Sequence, residues 1–269
     1  MELSERLKSV AGMVTAGNIV CDVGCDHGYI PIYLAGGGIS PKVIAMDVNE
    51  GPLRRAEEHV KAFGLEEYIV TRLSDGVSAL EKGEAETLIL AGMGGRLVTK
   101  ILSEGREKVR TMKELILQPQ SDIAMVRRFL RKEGYCIQRE DIVCEDGKYY
   151  PVIRALVGQK AGDGRTLAER EEIMCGRTGN EEGTDSPGRR YSPAPWQEAC
   201  DKYGPCLLKY RHPVLYRYLL WEQDREEAVS RTIAAIGDKR TKRHREREEE
   251  LAHAACIRQC ALDWFYREG

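Results

Sequence analysis

Within the eight residues Asp22-Val-Gly-Cys-Asp-His-Gly-Tyr29 the chain gathers two carboxylates, an imidazole and a phenol around two glycines, directly after the apolar run Ile19-Val20-Cys21. A strand that ends in a glycine-bearing turn and feeds a helix presents backbone N–H groups, with little side-chain cover, to a nucleotide-like cofactor. Asp22 and Gly24 are therefore candidate cofactor contacts. Asp26 stands where dinucleotide turns carry their central glycine, and its carboxylate would repel a pyrophosphate. A cationic sulfonium with an amino-acid tail has no phosphate to repel, so the turn favours S-adenosylmethionine over NAD or FAD.

Further carboxylates and glycines follow in the order such a cofactor needs. Asp47 closes Ile44-Ala-Met-Asp47 about twenty positions past the turn, where an acid accepts hydrogen bonds from two ribose hydroxyls; capping of the next turn is the alternative. Asp75 and Gly76, in Arg72-Leu-Ser-Asp-Gly76, suit the adenine amino group, or else are ordinary loop chemistry. Ala91-Gly-Met-Gly-Gly95 lets the backbone approach a flat ligand, with Ala91, Gly92 and Met93 assigned to the cofactor and Gly94 and Gly95 to the substrate. At this point many amino-directed methyltransferases carry an Asn/Asp-Pro-Pro-aromatic motif, which this chain lacks.

A ring nitrogen such as adenine N1 already owns a lone pair; it needs alignment, exclusion of water and a carboxylate to steady the cationic product. Asp26 is the candidate carboxylate. His27 and Tyr29 beside it are the other catalytic candidates, with a surface hydrogen-bonding role for His27 and a packing role for Tyr29 as open alternatives. Gln118 and Pro119, with Gln120, follow the fifth strand and offer amides to a substrate.

The elements that must position these residues alternate up to about Leu156. Apolar runs at Ile19 to Val23, Val43 to Asp47, Ile69 to Leu73, Thr87 to Ala91, Leu115 to Leu117, Cys136 to Val143 and Tyr149 to Leu156 predict seven strands separated by helical patterns. The turn Glu145-Asp-Gly147 makes the last two an antiparallel pair. That is the class I methyltransferase variant of the Rossmann fold, an α/β architecture with a seven-stranded sheet. Residues 1–157 are thus expected to form the catalytic domain. Residues 158–195, poor in apolar side chains, read as a flexible linker.

Residues 196–269 carry two helical stripes, Val229, Ile233 and Ile236, then Leu251, Ala254, Ile257, Ala261, Trp264 and Phe265. Their spacing predicts an antiparallel, coiled-coil-like hairpin. Near its tip, Lys239 to Arg247 holds six Lys or Arg in nine positions. Lys239, Arg240, Lys242, Arg243 and Arg245 are candidate phosphate contacts, against the alternative of a solvated charged face. Arg127, Arg128, Arg131 and Lys132 form a second basic cluster, and two such patches suit a folded RNA.

A balance of 41 basic against 43 acidic residues excludes a uniformly basic coat. The nine cysteines are irregularly spaced, and Cys256 and Cys260 have no second pair or histidine cluster to complete a zinc site, so neither a disulfide framework nor a metal is expected. With no membrane span or secretory signal, the chain is expected in the cytoplasm, and as a monomer.

These motifs resemble one family, the bacterial tRNA adenine-22 N1-methyltransferases called TrmK. The resemblance rests on Leu-Ser-x-Arg-Leu (3–7), the turn through Pro31, Asp47 to Leu53, Arg72 to Gly76, Ala91 to Gly95, Leu115 to Gln120, Gly134-Tyr135, Lys148 to Tyr150 and Tyr203 to Leu208. It implies methyl transfer from S-adenosylmethionine to N1 of adenine 22 in the D-loop of tRNA, with a helical appendage that helps hold the tRNA. It carries the family turn onto Gly24, Asp26, His27 and Tyr29, the ribose acid onto Asp47 and the fourth motif onto Gly92 to Gly95. Cys25 and Gly28 depart from the expected Ser and Ala. Methylation of a small molecule or protein, and a non-catalytic tRNA-binding module, are the competing expectations.

Overall fold

The structure, a computed structural model, describes residues 2–158, 193–236 and 241–266. The chain divides into two compact units, Met1–Leu167 and Ala168–Gly269.

The first unit is built on strands β1 (Val20–Val23), β2 (Val43–Asp47), β3 (Ile69–Leu73), β4 (Thr87–Met93), β5 (Glu114–Pro119), β6 (Cys136–Glu145) and β7 (Lys148–Leu156). They form one seven-stranded sheet in the order β3-β2-β1-β4-β5-β7-β6. Strands β1 to β5 pair in parallel, and β7 is antiparallel to both neighbours. Every residue of β1 and β2 is buried, as expected of central strands covered on both faces. Cys21 and Val23 face one apolar layer with Leu88 and Leu90, while Val20 faces the other with Val43, Ala45 and Ile116.

Helices α1 (Glu5–Ala11), α2 (Tyr29–Gly36), α3 (Glu50–Ala62), α4 (Gly95–Glu104), the single turn α5 (Arg106–Val109) and α6 (Ile123–Lys132) flank the sheet. Leu3, just ahead of α1, and Val10 within it are buried in the layer beside α2. Two strands outrun their expected ends: β4 continues to Met93 across an irregularity at Gly92, where φ is 77°, and β5 continues to Pro119. Gln118 and Pro119 therefore lie in strand β5, not after it. At the opposite edge of the sheet, the buried Glu114 accepts hydrogen bonds from Thr15, Thr87 and Arg154 at 2.8 Å each.

In the second unit, helices Pro193–Tyr203, Pro205–Lys209, Pro213–Ala234 and Lys242–Tyr266 are described. The last two run antiparallel, because Tyr216 meets Tyr266 while Glu226, further along, meets Arg258. Leu251, Ile257, Ala261 and Ile233 are buried there, whereas Val229 from the predicted stripe is 40% exposed. The first of these helices begins a little before the expected Trp196, and most of the expected linker lies outside the described residues. No helix of the described residues is long and apolar enough to cross a membrane.

Candidate cofactor and substrate site

The turn after β1 is made by three residues with left-handed backbone, Gly24 (φ 78°), Asp26 (φ 45°) and Gly28 (φ 71°). Asp26 is the costly one, since a residue with a Cβ rarely adopts this conformation. A Cβ on Gly28 would fall 3.2 Å from Ala56 Cβ, so the glycine that departs from the family pattern lets α3 lie close. The turn is not the open N–H cradle expected from its sequence: the N–H groups of Gly24 and Cys25 donate to Met46 O at 2.8 and 3.0 Å. Gly28 N–H is likewise engaged, by Cys25 O at 2.8 Å, and Gly24 and Asp26 bring a bare Cα and a carboxylate to the ligand side.

A cavity of about 480 Å³ opens beside it at the carboxyl ends of β1 and β4. Of the expected residues, Asp22, Gly24, Asp26, Tyr29, Ala91 and Gly92 line it. Asp47, 7% exposed, accepts a hydrogen bond from Asn49 N–H at 2.9 Å and raises the pKa of Asp22 by its charge. Burial first, then Asp47, pushes the Asp22 carboxyl up to about 7. The Cys25 thiol is likewise raised, chiefly by burial, and stays protonated. Met93 packs its Cε 3.2 Å from where a Gly24 Cβ would stand.

Other expected residues lie elsewhere. Asp75 and Gly76 line a separate hollow of about 260 Å³ with Lys82, Leu97 and Lys100. Gly95 is buried, and a Cβ there would lie 2.5 Å from Ser121 O; at Gly94 it would lie 3.1 Å from Ser121 Oγ. These two glycines admit the start of α4 against the Ser121 turn. Gly92, by contrast, presents its bare Cα near Arg6 and Gln120, each 3.9 Å from a hypothetical Cβ.

Gln120, expected to offer an amide, lines the cavity, while Arg6 and His59 are the neighbours that motif reading missed. Arg6, from α1, lines the cavity and its Nη1 donates to Gln118 Oε1 at 3.2 Å. Gly92 N–H donates to the same oxygen at 3.1 Å. Both partners being donors, the Gln118 amide has one orientation, in which its buried Nε2 finds no hydrogen-bond acceptor among the described residues, a cost of about 1–3 kcal/mol. The Arg6 guanidinium also lies over the Tyr150 ring at 5.4 Å and 4.0 Å from Glu145. The only sequence signal for Arg6 was its place in the Leu-Ser-x-Arg-Leu motif.

His59, on α3, donates from Nδ1 to His27 O at 2.9 Å. The His27, Tyr29 and His59 rings lie mutually 5.4 to 5.8 Å apart and within 25° of parallel. Asp26 is 3.6 Å from His27 Nε2 and 3.4 Å from Arg55.

Among the basic residues, Lys239 and Arg240 lie outside the described residues. Lys242 is exposed and 3.6 Å from Glu246 on its own helix, while Arg243 and Arg245 are exposed. Arg127 corrects the expected second patch: it is 2% exposed and donates from Nε to the buried Glu140 at 2.7 Å. Its place on the inner face of α6 makes it a packing ion pair, inaccessible to phosphate.

Residues 3–153 match the methyltransferase domain family. The tRNA (adenine(22)-N(1))-methyltransferase of Bacillus subtilis strain 168 is 38% identical over 170 residues, 62% of this chain and 71% of that protein. The solved structure of the B. subtilis M1A22 tRNA methyltransferase TrmK aligns with a TM-score of 0.75 at 28% identity, covering 97% of this chain and 99% of that one. Streptococcus pneumoniae Sp1610 in complex with S-adenosyl-L-methionine aligns at 0.71 and 29% identity, covering 98% and 100%. With the sheet order, the reversed last strand and the ordered turn motifs all in place, this chain belongs to the TrmK family of methyltransferases.

Proposed function

We propose that the chain methylates N1 of adenine 22 in the D-loop of tRNA, with S-adenosylmethionine as the donor. The observation that carries the reading is the cavity between the bare Cα atoms of Gly24 and Gly92, walled by Asp22 and Asp26. Such a site suits a cationic nucleoside and disfavours a phosphate, and it sits in a chain 38% identical to a tRNA (adenine(22)-N(1))-methyltransferase. When bound, S-adenosylmethionine supplies an electrophilic methyl group on its sulfonium sulfur.

Asp47 would accept from the ribose hydroxyls and Asp22 from the ammonium group; Asp75 with Gly76, expected at the adenine, line the neighbouring hollow and would reach the base only from there. Gly24, Ala91, Gly92 and Met93 give the close walls. Tyr29 and His27 would hold the target base flat, and Asp26 would balance the positive charge that adenine gains when N1 is alkylated. Gln120 at the cavity wall would contact the substrate, whereas Gly94, Gly95, Gln118 and Pro119, packed behind that wall, would support it. The basic residues Lys239, Arg240, Lys242, Arg243 and Arg245, the last three on the first turn of the last helix, would take tRNA phosphates. A tRNA substrate puts this work in the cytoplasm, and a single chain carries all of these residues, so a monomer without metal suffices.

The test is incubation of unmodified tRNA with the protein and S-adenosylmethionine, followed by nucleoside mass analysis and mapping. N1-methyladenosine at position 22 is expected. A methyl group at another position, or none, overturns the reading.

A further inference from the structure

The aromatic surface beside the turn is wider than one target base needs. His27, Tyr29 and His59 lie within 25° of parallel, with centroids 5.4, 5.8 and 5.8 Å apart. Rings in one column would set the outer pair far wider apart than the inner ones; near-equal spacing makes a shingled shelf. The shelf keeps an open face, for Tyr29 is 41% exposed and the His27 side chain 34%. Tyr29 lines the cavity, whereas His27 and His59 stand outside its lining, so the shelf continues past the cavity wall onto α3. His59 Nδ1 donates to His27 O at 2.9 Å. That bond fixes the plane of the His59 ring, which therefore loses little freedom when a ligand settles on it. One turn earlier on the same face of α3, the exposed Arg55 guanidinium meets Asp26 at 3.4 Å. An oriented ring with an arginine one turn away has the chemistry of a nucleotide seat: the base stacks and the phosphate meets the cation.

Resting on the proposed methylation of tRNA, we infer that His59 seats the base of a nucleotide adjoining the target in the same RNA strand, with its phosphate toward Arg55. The target base enters against Tyr29 and His27. Its neighbour is held outside the cavity by stacking, without readout of its edges. Gripping the neighbour keeps the target drawn out of its own stack. His59 is thus a substrate-binding residue that takes no part in the transfer.

The test is the affinity for tRNA in the presence of S-adenosylhomocysteine, with intact RNA and with RNA made abasic on one or the other side of the target. Wild-type protein should bind intact RNA about tenfold more tightly than RNA abasic at one of the two neighbours, the scale of one base stacked on a ring. His59→Gln, which keeps a donor but no ring, should lose that tenfold on intact RNA and bind both RNAs alike. His59→Phe, which keeps a ring but no donor, should retain most of the difference. Titration with S-adenosylhomocysteine certifies the fold of each variant. A preference that persists in His59→Gln, or its absence from the wild type at both neighbours, would overturn the inference. So would equal losses in the Gln and Phe variants, which would make His59 a brace for the turn through His27 O. Wild-type protein that binds no tRNA at all would instead bring down the proposed function itself.

Discussion

Asp22 makes the ligand-free site sensitive to pH. Its carboxyl holds a proton up to about pH 7 in the folded protein, against 3.8 as the ordinary value. Between those values the native state binds more protons than the unfolded chain, so this group's contribution to stability falls as pH rises through the window and levels off above it. Asp22→Asn should therefore raise the melting temperature of the ligand-free protein at pH 8, by about 2–4 °C, while weakening donor binding. A cation placed beside Asp22 favours the carboxylate, so donor binding near pH 6 should release protons, seen as buffer-dependent heats in calorimetry. Heats independent of the buffer would separate Asp22 from the ligand. For Asp26, the Asn variant should lower kcat about 100-fold, the scale of one stabilising group, with donor affinity little changed; parallel losses in both would make it a binding residue. These carboxylates were legible because they flank Gly24 at the end of β1, in a glycine-bearing turn that follows an apolar run. Arg6 was not, since its contact with Gln118 spans 112 positions, and no local period links a helix ahead of β1 to the end of β5.

Two elements decide whether the cavity keeps its shape. Helix α1 is short, and its first N–H, from Glu5, donates to Glu145 Oε1 at 3.0 Å while Ser9 donates to Asp141 at 2.7 Å. The β6-β7 hairpin thereby fixes the wall that carries Arg6. Glu145→Ala should raise the Kd of S-adenosylhomocysteine several-fold with little effect on global stability, as measured by titration and thermal melting. The start of α4 is the second such element. Gly95→Ala should cost about 1–3 kcal/mol in denaturant unfolding, the usual range for overpacking, because the added methyl meets backbone at Ser121. A neutral outcome would return Gly95 to the list of ligand contacts. The strands were readable because β-branched runs and Gly/Pro punctuation repeat with the βα rhythm. Their ends were not, since the irregularity at Gly92 carries β4 past the glycine that reads as a stop.

At the scale of the whole chain, RNA affinity is expected to depend on salt through the exposed arginines of the last helix. Arg243→Ala with Arg245→Ala should weaken tRNA binding and reduce the slope of log K against log salt by about 1–2, leaving donor binding intact; an unchanged slope would make this face a solvated surface. The helical character of this unit was legible in its stripes, but burial was not: Val229 shares a period with Ile233 yet faces solvent. In the first unit, β7 lies between β5 and β6 although it is last in sequence. As the nascent chain leaves the ribosome, β6 therefore has nothing to lie against until the segment through Leu156 emerges, and the N-terminal residues wait for acids 132 to 140 positions downstream. Such remote closures are slow, and a chain arrested before residue 148 would keep an open strand edge that invites association with its own copies.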